Sequence, residues 1–110
     1  MGDPAKREAT YEDVLNAPEH HVAEVLGGTL HLHPRPGGAH AAAASVLGGE
    51  LGPPFSRGRG GPGGWILLDE PELHLGRDIV VPDLAGWRRE RMPAITTELP
   101  YFTLAPDWVC

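Results

Sequence analysis

The apolar positions of this chain fall into short runs with recognisable periods. Thr10 precedes Tyr11-Glu12-Asp13, a weak form of the capping box that opens helices. A short helix through about Ala17 is predicted there, with Val14 and Leu15 facing inward and Pro18 ending it. Residues 22–26 and 29–33 are β-prone runs separated by Gly27-Gly28, a pair that a tight two-residue turn accepts. They predict a hairpin, closed by Pro34, Pro36, Gly37 and Gly38. Residues 39–51 are alanine-rich, and His40, Ala44, Leu47 and Leu51 recur at i, i+4, i+7 and i+11, one face of a helix. Gly48 and Gly49 weaken its last turns by roughly 1 kcal/mol each relative to alanine.

Residues 52–64 (GPPFSRGRGGPGG) break the pattern; their glycines and prolines forbid a regular element, and a mobile loop is expected. Three further strands follow at 65–69, 72–75 and 79–87, with Gly76, Arg77 and Asp78 turning between the last two. Residues 88–100 are polar, contain Pro93 and Pro100, and read as an irregular connection. Trp108, Val109 and Cys110 resemble the first residues of a buried strand, or else a docked edge strand. The predicted class is α+β, with a helix, a hairpin, a second helix and strands that add to a mixed sheet. Residues 1–9 are polar and expected to be disordered, leaving 10–110 as the folded domain.

Composition narrows the picture only a little. Hydrophobic residues make up 41% of the 110 positions, enough for a modest core in a single small domain. The 15 glycines and 12 prolines border on compositions that stay irregular, but they cluster, which favours one loose loop in a folded domain. A net charge of −6 counts against a dedicated sequence-independent nucleic-acid binder, though not against an enzyme that approaches DNA with a few arginines and a metal ion. Cys110 is the single cysteine and cannot form an intrachain disulfide. No run has the length or apolarity of a transmembrane helix, and no apolar signal-peptide region opens the chain, so a cytoplasmic protein without membrane attachment is expected.

Asp83 is the most informative residue for chemistry. It interrupts the apolar run Ile79-Val80-Val81-Pro82-Asp83-Leu84-Ala85, where a carboxylate leaves water at a cost of several kcal/mol unless a partner or a metal compensates. Pro82 cannot donate to a sheet ladder, which implies an edge or a bulge. A structural aspartate held by Arg77 or by backbone N–H groups explains the same pattern. Glu24 interrupts Val22-Ala23-Glu24-Val25-Leu26 and shares a face with Val22 and Leu26, so it points inward or lies on a half-exposed edge strand. Glu70 sits beside Asp69, where Pro71 forces a turn, a position typical of exposed residues.

Taken in order, several segments resemble the restriction endonuclease domain family of the PD-(D/E)xK nuclease superfamily. These are Tyr11-Glu12-Asp13-Val14-Leu15, Ala23-Glu24-Val25-Leu26-Gly27-Gly28-Thr29-Leu30, residues 34–40, Gly64-Trp65, Glu70-Pro71-Glu72-Leu73, Val81-Pro82-Asp83-Leu84-Ala85-Gly86-Trp87-Arg88-Arg89 and Pro106-Asp107-Trp108-Val109-Cys110. The series covers nearly the whole chain, and its order and spacing are more specific than any single piece. The resemblance implies a restriction-endonuclease-like mixed β-sheet flanked by helices, and a Mg²⁺-dependent DNA endonuclease. Asp83 would be the motif's first acid and a metal ligand, Glu24 the early acid near the metal, and Glu70 and His40 supporting residues. Mg²⁺ takes carboxylates, water and phosphate in octahedral geometry, which suits such a site. Many nucleases of this type are homodimers.

The sequence also departs from that pattern. The family's second acid belongs to the strand that begins at Val109, and its lysine follows; here Lys6 is the single lysine, and no Asp-x-Lys or Glu-x-Lys occurs. Arginine is a poor proton shuttle because of its high pKa. The chain is therefore expected to be truncated before the last core strand and helix, and to be inactive or only partly folded alone.

Two other readings stay open. A non-catalytic remnant or binding module would keep the fold without the reaction. His31 and His33 share a strand face at a spacing acceptable for zinc or iron, as in a cupin-like β-barrel, but the glycine that precedes such a pair is missing, the alanine-rich helix fits poorly, and two exposed histidines on a hairpin explain the pair better. Arg57 and Arg59 in the glycine-rich loop, and Arg88 and Arg89 after the Asp83 strand, are candidate phosphate contacts or ordinary solvated surface.

Overall fold

The computed structural model describes residues 7–95 and 98–110. Residues 1–6 of the expected disordered segment, and residues 96–97 of the expected irregular connection, lie outside the described residues. Residues 7–9 are tied to the fold: the Ala9 N–H donates to the Gly28 carbonyl at 2.8 Å, and Glu8 pairs with Arg77 at 2.6 Å.

The elements in chain order are α1 (Tyr11–Leu15), β1 (His21–Leu26), β2 (Thr29–Pro34), α2 (Gly38–Leu51), a π-helical turn (Gly52–Ser56), β3 (Trp65–Asp69), β4 (Leu73–Leu75), β5 (Asp78–Val80), β6 (Leu84–Arg88) and β7 (Trp108–Val109). The class is α+β, as the periodicities predict. At the start of α1 the Asp13 carboxylate accepts the Thr10 N–H at 2.8 Å. This helix is barely more than one turn, and Tyr11 and Val14 occupy its half-buried side. Leu15 therefore stays 66% exposed, against the expectation that it faces inward.

Two sheets form rather than one mixed sheet. The first has the order β2-β1-β5-β4 and the second β3-β6-β7, and every strand pairing is antiparallel. Parallel pairing needs long crossovers, and the connections here are mostly short; an isolated bridge between Leu73 and Phe102 is parallel. The predicted strand 79–87 is broken at Val81-Pro82-Asp83, with its front half in the first sheet and its rear half in the second. Pro82 has no N–H for a ladder, and the Val81 N–H is taken by the Glu24 carboxylate, so pairing cannot run through.

The β3-β6-β7 sheet is the middle layer. One face carries Ile66, Ala85 and the wholly buried Trp87, which pack with Leu73, Met92, Phe102 and Leu104. The Trp87 indole N–H donates to the Leu104 carbonyl at 2.9 Å, satisfying its polar atom inside the core. The opposite face lies under α2. A Cβ on Gly48 would meet an Asp69 carboxylate oxygen at 3.5 Å and Leu84 Cδ2 at 3.8 Å, so this glycine, costly to the helix alone, sits where helix and sheet are in contact. Met92 is buried although residues 88–100 read as polar connection.

The loop 52–64 is also more regular than its composition suggests. Pro53 and Pro54 stand in the first turn of the π-helical segment, where their missing N–H groups are not needed. Behind them the Arg59 N–H donates to the Pro53 carbonyl at 2.7 Å and the Gly63 N–H to the Pro54 carbonyl at 2.8 Å. β7 pairs with β6, with Trp108 37% and Val109 53% exposed, so the strand expected at 108–110 is present in these residues. The chain is elongated, with a radius of gyration of 16.0 Å against about 13 Å for a compact domain of this length. Among the described residues no helix is long and apolar enough to cross a membrane.

Candidate active site

The break between β5 and β6 gathers most of the residues singled out from the sequence. β1 delivers Glu24, whose side chain is 19% exposed, and its Oε2 accepts the Val81 N–H at 2.8 Å. The other oxygen, Oε1, lies 3.1 Å from His33 Nε2 on β2. The two-residue turn at Gly27-Gly28 sets this geometry, because it aligns Glu24 with His31 and Val22 with His33, so His33 is the diagonal neighbour on the same face.

From the other side, the Glu70 N–H donates to the Asp83 carbonyl at 2.9 Å. Glu70 adopts a left-handed backbone (φ 48°), and its side chain stays exposed. α2 contributes His40, with Nε2 3.0 Å from Asp83 Oδ1. Glu24, Glu70 and His40, which lie far apart in the chain, therefore all bond to the three residues 81–83. Glu70 does so through its backbone alone.

Asp83 is not the buried carboxylate in a continuous apolar strand that the sequence suggests. It stands in a bend outside both strands, and its side chain is 42% exposed. Arg77, a candidate partner from the sequence, is engaged by Glu8 instead. Asp83 and His40 face an open cleft of about 180 Å³ with Ala44, Leu47, Leu84 and Cys110 on its walls. Cys110, which the sequence reading did not connect to Asp83, is placed there by reciprocal backbone bonds with Leu84 at 2.9 and 3.1 Å. Only the tertiary register of β7 on β6 could have revealed it.

The donor set suits a hard cation, since carboxylate oxygens are open to water at Asp83 and Mg²⁺ commonly binds proteins through one or two carboxylates while keeping several waters. Among the described residues no three His, Cys, Asp or Glu side chains converge as an all-protein cage. The same holds for His31 and His33: His33 is turned to Glu24, and the hairpin belongs to an open four-stranded sheet, not a closed barrel.

Of the arginines, Arg88 lies over the Trp65 ring, 4.7 Å from its centroid, and Arg89 donates to the Ser56 carbonyl at 3.3 Å. Among the described residues no carboxylate pairs with Arg57, Arg59, Arg88 or Arg89. A cluster absent from the sequence reading is built on His74. Its ring stacks on Tyr101 at 3.7 Å, meets Tyr11 edge-on, and its Nε2 lies 2.9 Å from Glu72 Oε2. Burial, then the Glu72 carboxylate, pushes the Tyr11 phenol pKa up.

No family model matches the sequence, and no curated protein matches it either. Among solved structures, the chain is similar to one from Anabaena variabilis ATCC 29413 described as "a putative nuclease belonging to DUF820", with a TM-score of 0.70 and 24% identity. The similarity covers 92% of this chain and 56% of that one, so the chain spans a little over half the length of this neighbour. The two proteins share a fold, and the restriction-endonuclease-like α+β architecture expected from the sequence is consistent with it.

Proposed function

We propose that this chain is part of a Mg²⁺-dependent nuclease domain acting on DNA phosphodiesters, with Asp83 as its first metal-binding carboxylate. The observation that carries this reading is the convergence of Glu24, Glu70 and His40 on residues 81–83, in a fold shared with a protein described as a nuclease. In this proposal Asp83 offers a solvent-open oxygen to the metal while His40 Nε2 fixes the other. Glu24 anchors the strand break through the Val81 N–H, and its Oε1 is the atom free to turn from His33 toward the metal. A bound Mg²⁺ would lower the pKa of its water and neutralise charge on the scissile phosphate.

The second acid and the lysine of the PD-(D/E)xK pattern have no counterpart in these residues, so the 110-residue chain is proposed to bind metal without turning over. Mn²⁺ binding followed by electron paramagnetic resonance tests this. Uptake of one ion per chain, lost in Asp83→Ala with the fold intact, is the expected result; equal uptake by the variant would sink the assignment. Plasmid nicking by the purified chain with Mg²⁺, abolished by Asp83→Ala, would overturn the claim of inactivity.

A second reading has its own observation. Asp83 and Glu24 each already have a histidine partner, which is what a non-catalytic module of the same fold would keep. That reading predicts no Mn²⁺ uptake at all.

A further inference from the structure

We infer that the cleft between α1, the open end of the β1-β2 hairpin and the β3-β4 connection binds a small zwitterion. Its chemistry fits a free α-amino acid with an aliphatic side chain, the carboxylate on Arg35 and the ammonium on Glu70. The inference does not rest on the nuclease reading, since no residue of this cleft lines the one beside His40 and Asp83.

Backbone bonds set its two walls. The Arg35 N–H donates to the His20 carbonyl at 3.0 Å, one step past the last ladder pair, His21 with Pro34, and so holds Arg35 beside the start of β1. Opposite, the Glu70 N–H donates to the Asp83 carbonyl at 2.9 Å, which ties Glu70 down without using its carboxylate. His20 (φ 66°) and Glu70 (φ 48°) are the two non-glycine residues with a left-handed backbone among those described. One precedes the wall residue His21, and the other is itself a wall residue. Such conformations are uncommon outside glycine and gather where a site holds its groups in fixed directions. The cleft encloses about 280 Å³, just under the roughly 300–1,000 Å³ of sites for drug-sized ligands, so its occupant is small.

Charge complementarity selects the occupant. Four ionisable side chains line the cleft: His21, Arg35, Glu70 and Glu72. Two are engaged within the protein, His21 Nδ1 at 3.2 Å from the Glu19 carbonyl and Glu72 Oε2 at 2.9 Å from His74 Nε2. Among the described residues, neither the Arg35 guanidinium nor the Glu70 carboxylate pairs with another charged side chain, and they do not pair with each other. Opposite charges held apart around a narrow cleft select a ligand that carries both on one small frame. An anion alone would meet Glu70 and Glu72, and a cation alone would meet Arg35. A neutral molecule would displace water from both charges without pairing either. An α-amino acid bears its carboxylate and ammonium on one carbon, and a guanidinium fork takes a carboxylate through two parallel bonds. Val14, Ala17 and Val22 offer its side chain an aliphatic wall.

The test is a titration of the ¹⁵N-labelled full chain with L-valine, followed by amide chemical shifts. Shifts at Arg35, Glu70 and Val81 that saturate together, with a Kd of about 1 mM or tighter, are the expected result for so small a ligand. Valinamide, which lacks the carboxylate, and isovalerate, which lacks the ammonium, should each bind at least about tenfold more weakly. Arg35→Gln and Glu70→Gln should each weaken valine binding by a similar factor. Glu70→Asn, whose side chain tolerates the left-handed backbone, replaces the latter should it misfold. Arg57→Ala, which removes an equal charge elsewhere, should leave the affinity unchanged. Shifts that never saturate, equal affinity for either valine derivative, or an affinity unmoved by the Arg35 and Glu70 variants would each overturn the inference.

Discussion

His40 Nε2 and Asp83 Oδ1 meet at 3.0 Å across the gap between α2 and the start of β6. The pair joins the face of a helix to the bend through which β5 of one sheet passes into β6 of the other. Both side chains are close to half exposed, so water screens them and little stability depends on their attraction.

Accordingly, His40→Ala should change stability by no more than about 1 kcal/mol in urea unfolding. A loss of several kcal/mol would mean that the pair holds the helix to the sheet, contrary to its exposure.

Glu24 is different, because its Oε2 satisfies a part-buried backbone N–H. Glu24→Ala leaves the Val81 N–H without a partner and should cost about 1–3 kcal/mol. Glu24→Gln keeps a carbonyl acceptor and should recover most of it. Chemical denaturation of the two variants checks this, and equal losses would contradict the proposed bond.

Trp87 fills the centre of the core, and Trp87→Ala should cost about 3–5 kcal/mol. With nine buried hydrophobic residues among those described, that is enough to abolish cooperative unfolding by circular dichroism. Trp87→Phe, which loses the bond to the Leu104 carbonyl, should remain folded.

Gly61 packs against backbone. A Cβ there would fall 2.5 Å from Pro54 Cβ and 2.9 Å from the Pro54 carbonyl oxygen, neither of which can rotate aside. Gly61→Ala should therefore open the loop, seen as faster amide exchange at Gly63, whose N–H is bonded to Pro54. Unchanged exchange would show that the loop has no such close contact.

Acid should weaken the start of α1. The Arg7 guanidinium, with the Thr10 N–H, holds the Asp13 carboxyl at about 2, below its ordinary 3.8. The folded value lies below the unfolded one, so this contribution is present above about pH 3.8 and is lost as pH falls toward 2. Asp107, lowered by the Arg88 N–H and by Arg91, titrates with the same sign. Circular dichroism across that window should show less acid destabilisation in Asp13→Asn than in the unaltered chain.

The sequence by itself determined what depends on near neighbours. The Gly27-Gly28 turn fixed the hairpin and its register, the i, i+4, i+7 spacing marked the face of α2, and the short apolar run after the glycine-rich loop marked β3. Through that register the meeting of Glu24 and His33 was also calculable. Tertiary structure decided the rest. Whether residues 79–87 form one strand or two depended on Glu24, more than fifty residues earlier, capturing the Val81 N–H. Composition read 52–64 as loose because it weighs residues singly, whereas the close approach of Gly61 to Pro54 is a property of their spacing once folded. Asp83 looked buried because its sequence neighbours are apolar, but burial is set by what packs across from a residue. Across from Asp83 are a helix bearing His40 and an open groove.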